Sequence, residues 1–328
     1  MLIETTGVGL LESSSSQQVD SSLGEKLDVP ASYDGSNVVF RLLRIETWGS
    51  ALMNLGYYPF WGPFSGLNLL SNTANAQERL VVKALNLLEI GVRDRVLDIA
   101  CGRGKSSFIA QCLYPQSTVV GIDLVDDHVQ VAQTLFNRMD QLTYQVGNAQ
   151  QLRFPDESFE RVICIEAAFH FPDRAEFLRQ AYRVLRPGGK LVVIDFAWNS
   201  CEDRLHRHES EMKLVRDVWQ WNDFFSIEDY EHESHRAGFR SRAQYDWSSR
   251  VTRPAQRSFE YLSQLGSSTW GRKILEWRNP LFRAFSDEDW RDLALAVRAH
   301  RSVQERSKYM AFVFEKPGTT VERELVAG

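Results

Sequence analysis

The residues best placed to do chemistry are two acids and two glycines that fall close together. Val96-Leu97-Asp98-Ile99-Ala100-Cys101-Gly102-Arg103-Gly104 reads as an apolar run that ends in an acid and enters a tight G-x-G turn. Without a Cβ at Gly102 and Gly104, backbone N–H groups there can approach a ligand closely. A helix predicted from Lys105 to near Leu113 would aim its N-terminus at the same place. A second apolar run, residues 117–122, ends in Asp123. That acid lies about 20 residues beyond the glycines, the spacing at which a carboxylate meets ribose hydroxyls. Together these features predict a nucleoside pocket at the carboxyl edge of a parallel sheet. The alternative is a plain strand-to-helix turn without a ligand. A third glycine is missing, which argues against the dinucleotide fingerprint of a nicotinamide dehydrogenase.

From Val96 to Phe196 the sequence resembles the class I S-adenosylmethionine (SAM)-dependent methyltransferases, and the resemblance covers roughly residues 54–316. It implies that Asp98, Gly102 and Gly104 hold the methionine part of SAM and that Asp123 holds the ribose, with Ala100 and Leu124 beside them. A third predicted strand, residues 142–146, runs into Gly147-Asn148-Ala149. The family places a polar side chain on the adenine edge at this junction. Asn148 fits in type and Ala149 offers a backbone N–H, although Asn is also an ordinary turn residue. Asn54-Leu55-Gly56-Tyr57 resembles an element that precedes the SAM domain in many small-molecule methyltransferases. It implies that Tyr57, with Tyr58 as a second candidate, presents an aromatic face to the sulfonium cation. The alternative is a loop pinned by aromatic burial.

Methyl transfer from a sulfonium is an in-line displacement, so the protein must align the acceptor and, for an alcohol, take its proton. The acceptor is expected at the carboxyl ends of the fourth and fifth predicted strands, residues 161–166 and 190–196. Glu166, His170 and Asp195 fall there. The His170–Pro172–Asp173–Arg174 order and the Asp195-Phe196 strand end resemble the rebeccamycin-type sugar O-methyltransferases. That resemblance implies His170 as general base with Asp195 serving the same acceptor hydroxyl. The alternatives are a structural histidine bonded to the loop backbone and an acid that anchors the loop. Glu166 could serve the SAM amine or the acceptor. Sterol and prenyl C-methyltransferases share this sheet and use pocket acids and aromatics to stabilise a carbocation. C-methylation of an isoprenoid is therefore a second reading, and a non-catalytic SAM-binding subunit a third.

These residues need a scaffold. The expected fold is α/β: a Rossmann-like, seven-stranded, mostly parallel sheet with helices on both faces, plus a helical cap and an N-terminal helix. The expected divisions are a flexible tail (1–34), an N-terminal helical or lid segment (35–90), the SAM-binding core (91–198), a cap with the sixth strand (199–308), and a closing strand with tail (309–328). A chain of 328 residues with 43% hydrophobic content can bury one large core with such a cap. Aromatics across residues 250–301 would line an apolar chamber or fill the cap's own core. The expected acceptor is a bulky, largely apolar small molecule, such as a polyketide or peptide-polyketide of natural-product biosynthesis. A dense apolar set over residues 37–55 predicts a helix that packs over the pocket or against a second copy, making a homo-oligomer.

Composition narrows the partners. A formal charge of −5 lacks the basic stripe of a nucleic-acid binder. No apolar run is long enough to cross a bilayer. The polar N-terminus has no apolar signal core, so the expected location is cytoplasmic. Cys101, Cys112, Cys164 and Cys201 lack metal-ligand spacing and read as reduced thiols. His232 and His235 lie three apart among charged neighbours. No metal is expected; SAM, leaving as S-adenosylhomocysteine, is the one cofactor.

Overall fold

The computed structural model describes residue 38 and residues 51–60, 73–136, 138–200, 210–222 and 225–318. The tail expected over 1–34, nearly all of the helix expected over 37–55, and Cys201, His206 and His208 lie outside the described residues. That helix does not reach residue 55: residues 51–55 are irregular, and Ala51 takes a left-handed φ of 56°.

Helix α1 (Thr73–Leu88) carries a buried stripe of Ala76, Leu80, Val81, Ala84, Leu85 and Leu88, spaced for one helix face. It leads to β1 (Arg95–Ile99), α2 (Lys105–Leu113), β2 (Thr118–Asp123), α3 (Asp126–Phe136), β3 (Leu142–Val146), β4 (Phe159–Ile165), α4 (Arg174–Val184) and β5 (Leu185–Trp198). β1, β2, β3, β4 and β5 pair in parallel. The runs of β1, β2 and β5 are buried almost throughout because helices cover both faces of the sheet, whereas β3, at the sheet edge, alternates. The buried side chains fall into two clusters, one on each face.

Beyond β5 come α5 (Ser210–Trp219), α6 (Ile227–Ala237), β6 (Arg240–Asp246), α7 (Thr252–Gly266), α8 (Thr269–Arg278), α9 (Asp287–Arg306) and β7 (Ser307–Glu315). β7 pairs antiparallel with β5 and with β6, completing a seven-stranded sheet ordered β3-β2-β1-β4-β5-β7-β6. The sequence pattern reads residues 250–301 as one helical region; the structure breaks it at Ser268, Asn279 and Ser286. Each of these side chains accepts a backbone N–H at a helix start. Ser226 and Ser286 form reciprocal capping boxes with Asp229 and Asp289. α9 packs against α5 and α7, placing the cap helices beside the carboxyl ends of the strands.

Candidate active site

The turn after β1 is shaped by what lies behind it. Ala100, Gly102 and Gly104 all have positive φ. At Gly104 a Cβ would stand 2.6 Å from the Ala132 Cβ and 2.7 Å from the Tyr144 ring. The Tyr144 hydroxyl also donates to the Gly104 carbonyl oxygen at 2.6 Å. Gly104 is thus a close-contact glycine, and it does not line the cavity. Gly102 does line it. A Cβ there would project toward Met53 Cε, 3.2 Å away.

Two carboxylates sit beside this turn. Asp98 Oδ2 accepts from the Ser106 and Ser107 hydroxyls at 2.6 and 2.7 Å. Burial lifts its pKa to about 6; the two hydroxyls oppose that shift, and the Asp123 charge adds to it. Asp123 Oδ2 accepts the Gly102 N–H at 2.8 Å, and its Oδ1 accepts the Val125 N–H at 2.9 Å. His128 Nδ1 lies 3.4 Å from the same Oδ1. Leu124, 52% exposed, offers a flat apolar face. Asn148 caps its own turn, with Oδ1 accepting the Gln150 N–H at 2.8 Å, while Ala149 is buried beside it.

Glu166 and His170 face the same space, a cavity of about 260 Å³. Glu166 follows β4 with a left-handed φ of 50°. Its carboxylate accepts the Leu55 N–H at 2.9 and 3.1 Å and the Tyr309 hydroxyl. Burial raises its pKa to about 8, against the pull of those two donors. His170 ends a 3-10 turn, Ala168–His170. Its Nδ1 lies 3.0 Å from the Gln220 carbonyl oxygen. A carbonyl only accepts, so Nδ1 carries the proton and Nε2 is the basic nitrogen. Burial lowers this imidazole to about 4, with the Gln220 hydrogen bond opposing. Gln220 adopts φ 54°, which lets its carbonyl face the ring. Asn222 fastens the same contact: its N–H donates to the Phe169 carbonyl at 3.0 Å and its Nδ2 to the His170 carbonyl at 2.6 Å.

The structure therefore brings Asp98, Ala100, Gly102, Asp123, Leu124, Asn148, Ala149, Glu166 and His170 to one cavity. Four expected residues sit elsewhere. The Tyr57 ring meets the Trp247 edge at 5.5 Å and lies under Lys83 Nζ at 4.7 Å, so its π face already has a cation. Gly104 is held by Tyr144 and Ala132, as above. Asp195 does not partner His170. It is fully buried, 3.3 Å from Arg174 and bonded to the Tyr230 hydroxyl. Tyr58 is buried, and its N–H donates to the Arg250 carbonyl. His232 and His235 lie on α6, and among the described residues no His/Cys/Asp/Glu cluster is placed to hold a metal.

Sequence reasoning missed several contributors. Ser106 and Ser107 were readable, because they fall within the first helical turn after the glycines and therefore near Asp98. Asn54 reads in the sequence only as a companion of Tyr57, yet it lines the cavity. Trp219, Gln220, Asn222 and Tyr309 carry no local signal; the fold brings them in from far along the chain.

Residues 97–193 match the family described as "Methyltransferase domain". The chain is 30% identical over 257 residues to 27-O-demethylrifamycin SV methyltransferase of Amycolatopsis mediterranei, covering 76% of this chain and 89% of that protein. It is 33% identical over 153 residues to erythromycin 3''-O-methyltransferase of Saccharopolyspora erythraea, spanning 45% of this chain and 47% of that protein. In fold it is similar to the cyclopropane synthase MmaA2 of Mycobacterium tuberculosis, with a TM-score of 0.66 at 20% identity over 88% of this chain and 97% of that one.

The chain belongs to the class I SAM-dependent methyltransferases. It is an enzyme that uses SAM to methylate small molecules. The residues present fit SAM on their own chemistry. The space beside Gly102 is a cradle that a Cβ would fill, and two carboxylates suit an ammonium group and ribose hydroxyls.

Proposed function

We propose that this enzyme methylates a hydroxyl of a bulky, largely apolar small molecule, with His170 as general base. When bound, SAM supplies a methyl group activated by its sulfonium. Asp98 and the backbone at Gly102 would hold the methionine part, and Asp123 the ribose hydroxyls. Leu124 and Ala149 would flank the adenine, with Asn148 Nδ2 at its edge. His170 Nε2 takes the hydroxyl proton as the oxygen gains its methyl group. Burial keeps this imidazole neutral at pH 7 and so able to accept a proton, while making it a weaker base than a free histidine. Phe169, Phe196 and Trp219 give the acceptor an apolar surround. Two of the relatives above carry names that specify O-methylation, one of a demethylrifamycin and one of erythromycin.

The single observation carrying this reading is His170 in the cavity of the glycine turn, its Nδ1 3.0 Å from the Gln220 carbonyl oxygen, which leaves Nε2 as the accepting nitrogen. The test uses isotope-labelled SAM with a metabolite extract, read by mass spectrometry, followed by kinetics on the product so found. His170→Ala should lower kcat by about a hundredfold and leave SAM affinity within a factor of two. The wild-type rate should be flat between about pH 6 and 9, because a base near pKa 4 is already unprotonated there. Full activity in the variant removes the base. A rate that climbs through about pH 8 and loses that limb in Glu166→Gln moves the role to Glu166.

C-methylation is the second reading. It rests on Phe196 packed edge-on to Tyr309 at 5.2 Å beside Glu166, aromatics suited to a developing carbocation, to which the carboxylate adds its charge above about pH 8. A pyrophosphate substrate would need basic side chains at the cavity mouth, and Arg250 donates instead to the Tyr58 and Pro59 carbonyls. The position of the labelled methyl, on oxygen or carbon, separates the two readings.

A further inference from the structure

The outer face of the cap combines exposed indoles with positive charge. α8 packs on α7 and on the 3-10 turn Pro280–Ala284. Its seat is fixed: a Cβ at Gly271 would stand 2.2 Å from the Leu265 carbonyl oxygen, so no side chain separates the two helices there. The opposite face cannot turn inward while that contact holds. On it Trp270 is 73% exposed and Trp277 85% exposed. They stand seven residues apart, two helical turns or about 10 Å along one line. Ile274 lies between them, and Lys273 and Arg278 flank them, both exposed. Leu281 and Arg283 extend the same composition into the following turn, again exposed.

The charge of this region runs against the rest of the molecule. Residues 269–284 hold Arg272, Lys273, Arg278 and Arg283 against Glu276, in a chain whose formal charge is −5. Arg272 is paired with Asp287, one of four acids (Asp287, Glu288, Asp289 and Asp292) at the start of α9, which leaves Lys273, Arg278 and Arg283 as the exposed cations beside the indoles.

We propose that this face of α8 seats the enzyme peripherally on an anionic lipid surface. Indole rings are at home among lipid headgroups, where one edge is wet and the other apolar. Lys273 and Arg278 are placed on either side of the indoles, where they would meet lipid phosphates while their stems cover apolar surface. Ile274 and Leu281 favour a bilayer over nucleic acid, which offers them no apolar partner. No described helix is long and apolar enough to span a membrane, so the contact is a surface one.

The test is co-sedimentation of the full chain with vesicles of phosphatidylcholine and phosphatidylglycerol, against vesicles of phosphatidylcholine alone. Binding is expected to the mixed vesicles, with a blue shift of Trp emission, and should weaken as salt rises. The double variants W270S/W277S and K273E/R278E should each lower partitioning by about tenfold or more. Both alter exposed side chains, and circular dichroism and Tm should match wild type. Absence of binding by wild type overturns the proposal, as does equal binding by both variants. So does a wild-type dimer that W270S/W277S makes monomeric, which would give the face to a second copy. Retention on duplex DNA that removes vesicle binding would also overturn it.

Discussion

The two sides of the cavity are built by different means. The side proposed here for SAM comes from one continuous piece of chain, from Asp98 to Leu124, closed by Asn148 and Ala149, and the other side is the one proposed for the acceptor. The SAM side's hydrogen bonds join residues within one strand-turn-helix unit, as Ser106 to Asp98, or of adjacent units, as Gly102 to Asp123. The acceptor side is assembled from remote segments. Leu55 reaches Glu166, Tyr309 reaches the same carboxylate, and Gln220 and Asn222 reach the His170 turn. Both sides hold a carboxylate lifted by burial, to about 6 at Asp98 and about 8 at Glu166. Asp98 is relieved by two neighbouring serines, whereas Glu166 depends on a backbone N–H and a phenol from distant parts of the chain. A side built locally keeps its geometry when the rest varies. A side assembled from afar can be reshaped for a new acceptor without touching the first.

The contrast can be broken most severely at Gly104. Gly104→Val combines a left-handed φ of 84° with a Cβ less than 3 Å from Ala132 and Tyr144. It should cost about 3 kcal/mol or more and appear as a large drop in the urea midpoint or as loss of soluble protein. A variant with wild-type stability would mean that this turn tolerates what its contacts forbid. Next, Asp123→Ala should weaken SAM binding by about tenfold to a hundredfold, measured by calorimetry, because a charge-assisted hydrogen bond is lost. The acceptor side should keep its shape in that variant. An unchanged Kd would show that the SAM side does not work through its second acid.

The smallest effect sharpens the comparison through pH. The folded-state pKa of Glu166 lies above its unfolded value, so the native state holds this proton more tightly. The stability it contributes is full below about pH 4.5 and is lost as pH rises through about 8. Glu166→Gln removes that dependence. Its Tm relative to wild type should be higher at pH 9 than at pH 6, by about 2–4 °C. A pH-independent difference would mean that the carboxylate is not strained by its surroundings.

Much of the fold was legible because the signals are local. Continuous apolar runs at residues 96–99, 119–122 and 191–194 report strands covered on both faces, and the G-x-G turn and two strand-end acids report the switch from strand to helix. Capping boxes at Ser226 and Ser286 were equally readable, and weighing them would have divided the cap into its separate helices. Other features have no local trace. Asp195 reads as a strand-end acid open to the crevice, yet its pairing with Arg174 and the Tyr230 hydroxyl turns it into a buried tie. Tyr57 reads as a lid; only the folded chain shows Lys83 and Trp247 against its ring. The partners of His170 lie some fifty residues downstream, where periodicity says helix and nothing marks a carbonyl aimed backwards.

That backwards carbonyl has a consequence for inheritance. Gln220 decides which imidazole nitrogen carries hydrogen, and it belongs to the stretch that, in the reading proposed here, roofs the acceptor. Grafting this roof onto a cousin, or a cousin's roof onto this core, would exchange shape and acid–base competence as one parcel. Chimaeras cut on either side of residue 220 should therefore separate into those that merely hold a new guest and those that also modify it.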